Sequence, residues 1–210
     1  VFRDALAGKI TVERADLDAA DRLELPALVP AAIVGGVSLR FAPTNRKFGL
    51  HRWQSRTSEC FNAERRNQAP GRYVFPSNLL VHKSVLEACP FDESFAGWGW
   101  EDTDWGLTVQ KQFPVFHIDN TATHLGLDDD KSLIAKYARS GANFARMAER
   151  HPDAAADMPL YRAAKACRGV PFRPVFRVLT RLLARSPLLP VALRGRCMKA
   201  WRALLYAEAL

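Results

Sequence analysis

The tightest constraint on this chain lies between Gly97 and Asp119. A Gly97-Trp98-Gly99-Trp100 turn runs into Glu101-Asp102-Thr103-Asp104, after which Trp105, Val109 and Phe113 recur at i, i+4 and i+8. That spacing predicts a helix starting at Glu101 with one buried stripe. Pro114 ends it, because proline can neither donate to the helical ladder nor fit its interior. Val115-Phe116-His117-Ile118-Asp119 alternates and carries β-formers, which predicts a strand directly after the helix. The apolar run 31–39 predicts a second, buried strand that bends at Gly35-Gly36. Helices that return into buried strands make α/β the expected class.

Other elements follow from local chemistry. Residues 43–72 are polar and rich in Arg and Asn, predicting a long loop with a short helix, and loops of that length tend to carry function. Tyr73-Val74-Phe75 reads as a strand leading into Ser77-Asn78. Ser84, with Glu87 three residues on, reads as the N-cap of a short helix. Asp128-Asp129-Asp130 reads as a helix start, its carboxylates satisfying free N–H groups rather than gathering a metal. That helix is expected to run through Ile134, Tyr137, Gly141 and Ala145 to His151-Pro152. After a linker, Pro171 to Arg185 predicts another helix, with Phe172, Phe176, Leu179 and Leu183 on one face and Arg173, Arg177, Arg181 and Arg185 beside them. Pro187 and Pro190 separate it from a last helix reaching Leu210.

Charge divides the chain. Residues 1–130 hold 14 Lys/Arg and 18 Asp/Glu, whereas residues 131–210 hold 16 and 4, so the two parts carry −4 and +12. Such an end is expected to meet an anionic partner. Arginines interleaved with apolar residues at helical spacing, without a nucleic-acid motif, favour an anionic membrane surface over nucleic acid. The competing reading packs the apolar face on the domain and leaves the arginines solvated. Cys60, Cys89, Cys167 and Cys197 form no C-x-x-C pair, which excludes a zinc ribbon and a redox motif and fits reduced thiols in the cytoplasm. No apolar run approaches the roughly 18 residues that span a bilayer. The expected location is therefore cytoplasmic, peripheral on the membrane. The expected organisation is a domain over residues 1–152 and a basic helical extension over residues 153–210. A chain that opens on Val1 is expected to be a fragment or a processed form.

The segment 91–104 combines what a sugar site needs. Gly97 and Gly99 allow unusual turns and close ligand approach. Trp98 and Trp100 offer flat faces for the C–H side of a sugar ring. Glu101, Asp102 and Asp104 can accept hydroxyl hydrogen bonds or a proton, and a helix start favours their ionised form. The plainer reading is an acidic helix terminus beside core tryptophans.

Phe91-Asp92-Glu93-Ser94-Phe95 followed by Gly97-Trp98-Gly99-x-Glu101-Asp102-x-Asp104 resembles the C-terminal half of GT-A-fold glycosyltransferases, notably family 2 and the galactosyltransferase C-terminal region. The resemblance covers roughly residues 70–130. It implies the C-terminal, acceptor-side part of a GT-A mixed-sheet fold. It implies an inverting transfer from a nucleotide-sugar donor to a glycan or lipid-linked acceptor, with Asp102 as base and Glu101 holding hydroxyls. Trp98, Gly99, Trp100, Asn78 and Asp104 would contact substrate. His124 would join a D-x-D acid in binding Mn²⁺ or Mg²⁺. Asp16-Leu17-Asp18 reads either as a degenerate D-x-D or as an acidic helical turn, and residues 1–15 cannot form a nucleotide site. Two other functions compete: an inactive glycan- or partner-binding remnant of the fold, and a basic membrane-surface module.

Overall fold

The computed structural model describes residues 30–210. Asp16-Leu17-Asp18 and the stretch before it lie outside the described residues. The chain is a mixed α/β protein whose described residues group into two compact units. The first unit comprises residues 30–40, 59–92 and 102–124, and the second residues 41–58, 93–101 and 125–210.

The first unit is built on short strands. β1 (Ala32–Val34) lies at the centre of a three-stranded sheet, antiparallel to β3 (Leu79–Val81) and parallel to β4 (Val115–His117). In register, Ile33 faces Leu80 on one side and Phe116 on the other. The expected bend occurs: after Gly35-Gly36 the chain forms β2 (Val37–Ser38), which leaves that sheet and pairs in parallel with β5 (Ala122–Thr123). Gly36 is obligatory here. Its φ is +84°, and a Cβ would lie 1.8 Å from the Arg66 guanidinium.

Helices α2 (Ala63–Asn67), α3 (Lys83–Ala88) and α4 (Glu101–Val109) complete this unit. Trp105 and Val109 face inward as their spacing predicts, in a core with Ala32, Val34, Val74, Val85 and Cys89. The Trp105 indole N–H donates to the Cys89 carbonyl at 2.7 Å, so the one polar atom of a nearly inaccessible ring is satisfied. Three local expectations need correction. Residues 43–72 are not a long loop with one short helix: they hold the ten-residue helix Gly49–Ser58, α2 and two 3₁₀ turns. Residues 73–75 form no strand: Pro70 and Pro76 each open a 3₁₀ turn, and pairing begins only at Leu79. The cap of α3 is His82 rather than Ser84, its Nδ1 accepting from the Ser84 N–H.

The second unit is helical. It contains α1 (Gly49–Ser58), α5 (Asp130–Arg139), α6 (Gly141–Arg150), α7 (Pro152–Ala156), α8 (Pro159–Cys167), α9 (Arg173–Arg185) and α10 (Val191–Tyr206). The single helix expected after Asp128 is two helices, because the chain breaks at Ser140-Gly141. Ser140 is fully buried and its hydroxyl bonds the Tyr206 hydroxyl, a partner that fixes the break. Asp129 caps α5 by accepting from the Ser132 N–H, and that bond holds its carboxyl below the usual range. α10 is the central helix of this unit, packed against α1, α5, α6, α8 and α9. Its Met198, Trp201 and Tyr206 are almost wholly buried. Of the last two helices of the basic extension, α9 alone keeps most of its apolar side chains exposed. No helix among the described residues is long and apolar enough to cross a membrane.

Candidate functional site

The Gly-Trp-Gly-Trp segment is held by side chains that follow it in sequence. Gly97, Gly99 and Trp100 have φ of +84°, +94° and +79°. For the glycines this is free of strain. For Trp100 it costs on the order of 1–3 kcal/mol and persists only if its surroundings over-determine it. They do. The buried Asn143 of α6 donates its amide to the carbonyls of Ala96 at 3.1 Å and Gly99 at 3.0 Å. The Trp100 ring packs against Phe144 and Tyr206, with centroids 4.7 and 6.3 Å away.

The two tryptophans thus play different parts. Trp100 is half-buried among aromatic rings, whereas Trp98 is 38% exposed. Trp98 meets Tyr137 edge-on at 5.3 Å, and Lys136 Nζ lies 5.6 Å from the ring centroid. A partly exposed indole steadied in this way leaves one flat apolar face open to solvent.

Glu101 and Asp102 follow at the first turn of α4, both half-buried. Glu101 Oε2 is buried without a hydrogen-bond partner among the described residues. An unpaired buried carboxylate oxygen is costly, and a hydrogen-bond donor such as a ligand hydroxyl or a water would satisfy it. Asp104, by contrast, is only 2% exposed and sits inside the fold. Asn78 is also built into the structure: its amide donates to the carbonyls of Gly36 and Asn120, both at 2.8 Å. That bridge ties the end of β1 to the segment after β4.

His124 follows β5, half-buried, and its backbone N–H donates to the Ser38 carbonyl at 2.9 Å. A ring nitrogen of His124 and a carboxylate oxygen of Glu59 lie within 4.8 Å of each other in the first unit. One imidazole and one carboxylate suit a divalent cation, and they fit it as part of a donor set that other oxygens would complete. Sequence reasoning missed Glu59 and Asn143. Glu59 directly follows a helix in a polar stretch, and Asn143 is a polar residue in an ordinary helical pattern, so neither announces itself.

His117 has a structural role. It is buried in β4, with Nε2 bonded to the Pro70 carbonyl at 2.9 Å and its backbone N–H received by Asn67 Oδ1 at 2.8 Å. Burial pushes its imidazole below the ordinary value, outweighing the Pro70 bond, and the Arg66 charge lowers it further. Comparison with known protein families, curated proteins and solved structures finds no match for the chain.

Proposed function

We propose that this chain carries the acceptor side of an inverting GT-A-type glycosyltransferase, which moves a sugar from a nucleotide-sugar to a glycan or lipid-linked hydroxyl. The observation that carries this reading is the orphaned Glu101 Oε2 at the start of α4, next to Asp102 and preceded by the exposed face of Trp98. Trp98 stacks on the acceptor ring, and Glu101 accepts a hydrogen bond from one of its hydroxyls. Asp102, in the first turn of α4, removes the proton of the attacking hydroxyl. The oxygen of that acceptor hydroxyl forms a bond to the anomeric carbon as the bond from that carbon to the diphosphate breaks, and Asp102 keeps the proton. Glu59 and His124 would hold a Mn²⁺ or Mg²⁺ ion, which when bound supplies charge stabilisation to a diphosphate leaving group. The proposal includes a peripheral position on an anionic membrane surface, supported by the exposed apolar side chains of α9.

Glycan-array and calorimetric titration of the 210-residue chain test the acceptor side. Oligosaccharide binding should weaken about tenfold in Trp98→Ala and in Glu101→Ala, and stay within about twofold in Asp102→Asn. Supplied with a nucleotide-binding half, Asp102→Asn should transfer ~10²–10⁴-fold more slowly than wild type. Wild-type-like transfer would remove Asp102 as the base. Glycan binding without catalysis is the second reading, favoured by the structural roles of Asn78 and Asp104. It predicts the same glycan binding with no transfer from any nucleotide-sugar.

A further inference from the structure

In the second unit, Arg46, Lys47, Lys131, Arg185 and Arg194 line a cleft of about 390 Å³. Asp130 is the one acidic residue in its lining, and its carboxylate is already engaged by Arg194 and by the Leu50 N–H. Arg194 is buried and also donates through Nε to the Ala184 carbonyl at 3.0 Å, so it is a fixed wall of the cleft. Asp129 lies close enough to Lys47 to feel its charge. The remaining cations, Arg46, Lys131 and Arg185, have no carboxylate partner among the described residues. Even with both aspartates counted, five cations leave the cleft at +3.

The cleft opens at the end of α9, and that helix is turned inside out relative to an ordinary amphipathic helix. Its Arg173 and Arg177 pair with Glu208, Arg181 lies over the Trp201 ring, and Ala184 is buried. The apolar side chains face outward: Phe172 is 78% exposed, Leu182 60%, and Leu188, next to the cleft residue Pro187, 91%. Exposed apolar surface on this scale marks an interaction site. A ligand that satisfies both features has an anionic oxygen cluster joined to an apolar body.

We propose that this cleft binds the terminal phosphate of a membrane lipid while the outward face of α9 enters the apolar layer. A phosphomonoester presents three anionic oxygens, which charge-assisted donors from arginine and lysine recognise strongly, whereas a phosphodiester is shielded by its second substituent. The inference rests on the membrane-surface reading and is independent of the transferase chemistry.

Vesicle co-sedimentation of the 210-residue chain tests it. Phosphatidylcholine vesicles carrying phosphatidate should bind about tenfold more tightly than vesicles of equal surface charge carrying phosphatidylglycerol. In a Lys47→Ala/Lys131→Ala/Arg185→Ala variant that preference should fall to about one. A Lys111→Ala/Arg139→Ala/Lys165→Ala variant, with the same charge removed from exposed positions outside the cleft, should keep it. Equal binding to both anionic vesicles overturns the cleft assignment and leaves the membrane reading standing. Binding of inorganic pyrophosphate in solution without any phosphatidate preference overturns the lipid as its source. Absence of binding to every vesicle overturns both readings.

Discussion

Arg66 has no exposed surface, yet it carries a full charge inside the first unit. Its Nη2 donates to the carbonyls of Ile118 at 2.8 Å and Gly35 at 3.3 Å, and Asp119 lies 3.8 Å away. Burial lowers its pKa and Asp119 partly restores it. The guanidinium occupies the space left by the missing side chain of Gly36, so the two residues depend on each other. Arg66→Leu should cost about 1–3 kcal/mol, because the carbonyls of Ile118 and Gly35 lose a donor while the exposed Asp119 stays solvated, and urea unfolding would measure it. A neutral result would mean that water replaces the guanidinium. His117 makes a different test. With Nε2 donating to Pro70, its Nδ1 is left bare and buried, and protonating it would place an N–H where no acceptor lies among the described residues. A depressed folded pKa means that stability is complete above the unfolded value of about 6.5 and falls as pH drops below it. His117→Gln can keep a donor toward Pro70 without titrating. Its stability should therefore change less than wild type between about pH 7 and pH 5, and parallel curves for the two proteins would exclude the assignment.

At the level of elements, legibility followed chemistry that acts locally. The β1–β2 break was readable because Gly35-Gly36 interrupts an apolar run, and α4 because its stripe has helical period, although the helix ends at Val109, short of Phe113 and Pro114. β3 was not readable. It is an apolar run of only three residues, shorter than the about four to eight that mark a buried strand, and no alternation betrays that Leu80 is 61% exposed. In the candidate site, the glycine-rich turn and the helix start at Glu101 were legible, while the exposure of Trp98 and the packing of Trp100 depend on Phe144, Tyr206 and Asn143, all remote in sequence. The outward apolar face of α9 was the favoured of two readings, although periodicity shows only that a helix has an apolar face, not which face its neighbour covers. Close approach within the first unit offers the sharpest test at this scale. A Cβ at Gly106 of α4 would lie 2.2 Å from the Gly71 carbonyl oxygen, a backbone atom that cannot swing aside. Gly106→Ala should destabilise by about 1–3 kcal/mol in thermal or urea unfolding, although Ala is the better helix former. A stabilised variant would show that the two segments separate at little cost.

For the whole molecule, the +12 charge of residues 131–210 and the outward apolar side chains of α9 act on different physical variables. Charge is screened by salt, with a Debye length near 10 Å at 0.1 M and about 3 Å at 1 M. Apolar burial is not screened, and it gives about 1.5–3 kcal/mol for a fully buried Leu or Phe. Removing the tail would not separate the two, because deleting residues after Asp157 takes Met198, Trp201 and Tyr206 out of the second unit's interior. Point changes on exposed positions do separate them. Binding to anionic vesicles should fall more than about tenfold from roughly 0.05 to 0.5 M salt, reaching a plateau above zero. Phe172→Ser/Leu182→Ser should lower that plateau while leaving the salt dependence nearly unchanged, because no charge is altered. The Lys47→Ala/Lys131→Ala/Arg185→Ala variant should do the reverse, flattening the salt dependence and sparing the plateau. Both variants keep their unfolding midpoints if these side chains are as exposed as the structure has them, so circular dichroism melts provide the control. A salt dependence that persists in full without the three cleft cations would move the electrostatic contact to the remaining arginines of residues 131–210. Loss of all binding in the serine variant at low salt would make the apolar face the dominant contact and the charge secondary.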